Sequence, residues 1–96
     1  MEFDNNPAII ALMRRMKRDG KTSADILYVL VDYDLNVSEM MCHFWEAFNL
    51  KFDDVTCIGG WSPDGSGELS DEAISAFIDP EIARKWVDEA SGNRQL

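Results

Sequence analysis

Residues 36–48 constrain the fold more than any other stretch of this chain. Val37, Met40, Met41, Phe44, Trp45 and Phe48 recur at i, i+3, i+4, i+7, i+8 and i+11, which sets six large apolar side chains along one flank of a helix. Asn36 stands where a cap belongs, and Glu39 three residues on completes the pattern of a capping box. A strand, with its period of two, would scatter the same side chains over both faces. Full burial of each contributes roughly 1.5–3 kcal/mol, so this helix is expected to organise the core.

The same start-and-stop grammar recurs on either side. Asn6 and Pro7 open a helix whose stripe is Ile9, Leu12, Met13 and Met16 and whose stop is Gly20. Thr22 and Asp25 form a second capping pattern ahead of Ile26–Val31, a run that also reads as a buried strand. The cap in front and Asp32 and Asp34 behind favour a helix there. Asp53, with Phe52 before it, starts a short helix closed by Gly59 and Gly60. Ser70 caps a helix with the stripe Ala73, Ile74, Phe77 and Ile78. Asp79, Pro80 and Glu81 then read as cap, first-position proline and acid of a last helix, with Ile82, Ala83, Trp86, Val87 and Ala90 inward and Gly92 at its end. The expected fold is all-α: a compact single-domain bundle of five or six short helices over residues 1–92, with 93–96 a frayed tail. The alternative is α/β, if residues 26–31 form a strand.

Charge narrows the partners. Eighteen acids against nine bases give −9. Residues 1–21 hold three acids and five bases, while residues 22–96 hold fifteen acids and four bases. Phosphate binding needs clustered Lys and Arg, so no nucleic-acid partner is expected, and Arg14, Arg15, Lys17 and Arg18 read as a solvated helix face. A cationic protein would be attracted and steered in. No apolar run approaches the roughly 20 residues that span a bilayer, and MEFDNNP carries acids where a signal peptide carries positive charge. A cytoplasmic protein with no membrane contact is expected, with Cys42 and Cys57 reduced and buried as small apolar residues.

Residues 57–68, CIGGWSPDGSGE, hold four of the six glycines. Gly60 and Gly65 have the spacing of a phosphate-binding loop, but Ser66 replaces its lysine. The dinucleotide pattern fails at Ser70, and a calcium loop starting at Asp64 would meet Leu69 where glycine is required and Ser75 where the bidentate acid is required. The stretch reads instead as a mobile span offering exposed acids and Trp61. That tryptophan is either tucked over the core or an anchor for a partner. His43, the single histidine, lies with Glu39 and Glu46 at i, i+4 and i+7, read as a solvated face of carboxylate–imidazolium pairs. Three ligands from one helix make poor zinc geometry, so no metal and no cofactor are expected. Carboxylate pairs such as Asp53–Asp54 are adjacent and point about 100° apart, so no catalytic residue is assigned and no enzyme is expected.

By length, cytoplasmic character, negative charge and helical architecture the chain resembles the small acidic bacterial immunity proteins; no diagnostic motif is matched, so no residue carries over. The resemblance implies a non-enzymatic inhibitor, monomeric when free, that neutralises a basic toxin such as a nuclease by occluding its cationic cleft. The expected contact residues are Asp32, Tyr33 and Asp34 at the end of the second helix, then Asp53 and Asp54. Trp61, Asp64, Glu68, Asp71 and Glu72 follow around the glycine loop. The alternative is a regulatory adaptor that binds a helix or peptide through a Met and aromatic groove on the third helix.

Overall fold

Four of the five α-helices among the described residues start where a side chain takes up a free amide hydrogen. In the computed structural model, which describes residues 5–87, the five are α1 (Pro7–Arg18), α2 (Ser23–Asp32), α3 (Val37–Phe48), α4 (Phe52–Val55) and α5 (Asp71–Lys85), with a 3₁₀ turn over Thr56–Gly60. Asn6, Thr22, Asn36 and Ser70 cap α1, α2, α3 and α5, and the Thr22–Asp25 and Asn36–Glu39 boxes are both closed. Residues 26–31 are therefore helical, and the described residues contain no strand; the protein is an all-α bundle. Ile26, Leu27 and Leu30 are buried at i, i+1 and i+4, the spacing of a helix pressed into a core.

The core lies where α1 packs on α3 and α2 packs on α5. Met13, Leu30, Phe44, Phe48, Val55, Ile58 and Ile74 are fully enclosed. Of the α1 bases expected on a solvated face, Arg15 and Arg18 are exposed, while Arg14 and Lys17 take part in this packing. Arg14 Nε donates to the Ala47 carbonyl at 2.8 Å, serving the C-terminal end of α3, which carries no basic residue in its own last turn. Lys17 pairs with Asp79 at 2.9 Å.

Several expectations change. α5 is one helix running through Pro80, with no break at residues 79–81. Ile74, Ile78 and Ile82 form one buried row across the proline, and Asp79 spends its carboxylate on α1 and α2 rather than on a cap. Burial of that row offsets the amide hydrogen that proline lacks. The row is narrow, so Phe77 is 57% exposed, Val87 is 78% exposed and Ala83 is exposed; Trp86 is half-buried with its ring edge against Phe48. α5 ends at Lys85; Ala90, Gly92 and the tail 93–96 lie outside the described residues. α4 starts one residue early, at Phe52 after Lys51, and gives way to the 3₁₀ turn.

His43 is buried, not solvated. Its Nδ1 lies 2.7 Å from the Glu39 carbonyl, and its Nε2 accepts the Asn6 backbone N–H at 3.1 Å. A carbonyl only accepts, so Nδ1 carries the proton. The ring fastens the start of α1 to α3, helped by Asn5, whose amide donates to the Cys42 carbonyl and to Glu46.

Candidate functional site

α2 and α5 run antiparallel, and three polar contacts mark the seam. The Ser23 amide meets Asp79 at 3.0 Å, the Ala24 amide meets Ser75 Oγ at 3.0 Å, and the Tyr28 hydroxyl donates to Asp71 at 2.9 Å. On the solvent side the seam is a groove of about 480 Å³ with Ala24, Ala76 and Pro80 among its lining and Asp25, Asp71, Glu72 and Asp79 around them. A second depression of about 470 Å³ continues past Tyr28, Asp71 and Glu72 to the loop at Ser62–Gly65. No lysine or arginine lines either one.

Hydrogen-bond donors hold two carboxylates here, Asp25 and Asp64, in their charged form. The Thr22 amide and hydroxyl keep Asp25 below the usual carboxylate range. The hydroxyl of Ser66, then that of Ser62, and the Ser66 amide hold Asp64 at about 2. Asp71 also accepts the Trp61 indole N–H at 2.8 Å, and its bond from Tyr28 pushes that phenol up. Trp61 is only 3% exposed, with the Tyr28 ring edge-on at 5.1 Å. It therefore belongs to the core and supports the groove from beneath. The loop that was expected to be a mobile span is closed by its own hydrogen bonds: the Leu69 amide donates to the Gly60 carbonyl at 2.8 Å and the Gly65 amide to the Ser62 carbonyl at 3.1 Å. Two glycines serve that closure. Gly65 has φ +81°, and a Cβ on Gly67 would stand 2.6 Å from the Gly60 oxygen.

Of the residues expected to contact a partner, Asp71 and Glu72 line both depressions and Asp64 lines the second. Asp32 is exposed and shares the α2 face of Asp25 and Tyr28, at i, i+3 and i+7. Tyr33 and Asp34 follow on the exposed α2–α3 turn, with Asp34 left-handed at φ 65°, and Glu68 is exposed on the loop but outside both depressions. Asp53 and Asp54 are not part of the cluster. Asp54 is bound to Lys85 at 2.6 Å, and Lys85 lies fourteen residues along α5 from Asp71, about 21 Å at the helical rise. The sequence reading missed Asp25, Tyr28 and Asp79 as groove residues. The spacing of Asp25, Tyr28 and Asp32 was the available signal. Among the described residues no three His, Cys, Asp or Glu side chains converge as a metal site, and both cysteines are half-buried free thiols raised by burial.

The Asp54–Lys85 pair gives a pH prediction. Hydrogen bonding from Lys85, then the Lys51 amide, lowers Asp54, and the same bond raises Lys85. A depressed carboxyl stabilises the fold above its unfolded value of about 3.9, and that contribution is lost as pH falls through the folded value. A raised lysine stabilises below about 10.4 and loses its contribution as pH rises through the folded value. Urea midpoints are therefore expected to fall between about pH 4 and pH 2. Lys85→Met is expected to shrink that fall without abolishing it, since Asp25 and Asp64 are depressed too; an unchanged fall would show that the pair contributes nothing.

Compared with known proteins, the chain matches no protein-family model, no curated protein and no solved structure.

Proposed function

We propose that the chain is a non-enzymatic acidic binding protein that inhibits a basic protein. The finer reading is an immunity protein that acts as a cytoplasmic monomer and occludes the cationic cleft of a toxin such as a nuclease. The observation that carries it is the α2–α5 groove with the depression that continues it, where Asp25, Asp71, Glu72 and Asp79 line the first and Asp64 the second, with no base among the lining residues. Such a surface presents carboxylates where a basic cleft would otherwise take phosphates, and its field raises the encounter rate. The non-enzymatic part is supported by His43, the single histidine, whose two ring nitrogens are both spent inside the fold. No helix among the described residues is long and apolar enough to cross a membrane.

The partner to test is the product of the reading frame adjacent to this one, assayed for nuclease activity with and without the chain. The on-rate is expected to fall steeply between low and high salt. Glu72→Lys with Asp32→Lys, both exposed, is expected to slow it by about tenfold or more. A flat salt profile, or full inhibition by the double variant at an unchanged rate, would remove the proposal.

A further inference from the structure

Outside the groove, α3 and α4 carry a partly exposed apolar row whose middle, Met41 and Trp45, also packs against the core. Val37, Met41 and Trp45 follow one another at i, i+4 and i+8 along α3, a row about 12 Å long, while the neighbouring row of Met40, Phe44 and Phe48 is buried. Val37 is 40% exposed, and Met41 and Trp45 are half-buried. Phe52, 55% exposed at the start of α4, extends the row through its ring contact with Trp45 at 5.9 Å. Large apolar side chains gathered in this way mark contact surfaces more often than isolated ones do.

We propose that this flank of α3 and α4 is the docking face for a cationic amphipathic helix, whose apolar stripe lies along Val37, Met41, Trp45 and Phe52. Charge selects that occupant. A second copy of the chain would bring −9 against −9. A helix with Lys and Arg beside its apolar stripe is attracted by the same field. Asp34 stands before the row and Asp53 follows Phe52, both exposed, with Lys51 the one base beside them in sequence. Apolar anchors at i, i+3 or i+4, and i+7 of the partner helix would match a row of this length. The face is built from different elements than the α2–α5 groove, so the inference stands whether or not that groove binds a toxin.

The test uses the full chain and two synthetic probes of equal length, a leucine–lysine amphipathic peptide and an all-lysine peptide, followed by fluorescence anisotropy at physiological salt. The amphipathic peptide is expected to bind and the all-lysine peptide is not. Phe52→Asp is expected to weaken binding by about tenfold. That substitution adds a negative charge, so a purely electrostatic association would tighten instead. Val37→Asp, at the other end of the row, is expected to act in the same direction, and circular dichroism checks that each variant folds. Glu72→Gln in the groove is expected to leave the affinity within about twofold. Equal binding of both probes, or binding lost in Glu72→Gln but kept in Phe52→Asp, overturns the proposal. So does a dimer in sedimentation that Phe52→Asp dissolves, which would make the occupant a second copy.

Discussion

Truncation of Trp61 to alanine is expected to lower the unfolding free energy by about 3–5 kcal/mol. The indole is enclosed between the glycine loop and the α2–α5 seam, so its removal leaves a cavity as well as losing its own burial. A domain of this length has a total stability of roughly 5–14 kcal/mol, so much of the margin would go with one side chain. Trp61→Phe separates two contributions. It keeps most of the ring volume and loses the indole N–H bond to Asp71, which contributes about 1–2 kcal/mol, toward the upper end because the acceptor is charged. Urea unfolding of the two variants measures the difference. A loss below about 1 kcal/mol for Trp61→Ala would show that the indole is not the support of the loop.

The helix starts were legible because they are local. Thr22–Asp25 and Asn36–Glu39 close boxes within four residues, and both formed. What the sequence could not show is what lies opposite each helix. His43 falls off the main α3 stripe, and only the arrival of Asn5 and Asn6, just ahead of α1, makes its flank an interior one. Asp79–Pro80–Glu81 carries the signature of a helix start whether or not a helix is already in progress. The deciding fact was that Ile74, Ile78 and Ile82 form one row against the core. The candidate groove had the same difficulty. Its acids come from 25, 64, 71, 72 and 79, and no periodicity relates the first to the rest. Acidity alone grouped Asp53 and Asp54 with them, although a helix of known rise separates the two ends.

Asp79→Ala is expected to cost about 2–4 kcal/mol, because one carboxylate oxygen serves three donors from two other helices. Asp79 Oδ1 accepts from Lys17 Nζ at 2.9 Å on α1, and from the Ser23 amide at 3.0 Å and Ser23 Oγ at 2.5 Å at the start of α2. Ser23 is fully buried, so truncation strands an amide and a hydroxyl away from water and leaves Lys17 without its counter-ion. Asp79→Asn keeps an oxygen in place and removes the charge, and is expected to cost about 1–2 kcal/mol. The difference between the two variants isolates the donors that need an acceptor from the one that needs an anion. A double-mutant cycle with Lys17→Met gives the second part directly, with a coupling of about 1 kcal/mol expected for a pair that is only partly screened. Because Asp79 also lines the groove beside Pro80, the weakened variant is expected to expose the α2 start to hydrogen exchange before the rest of the bundle. If Asp79→Ala stays within about 0.5 kcal/mol of the parent chain, three helices are not meeting at this carboxylate, and the groove wall is held by burial alone.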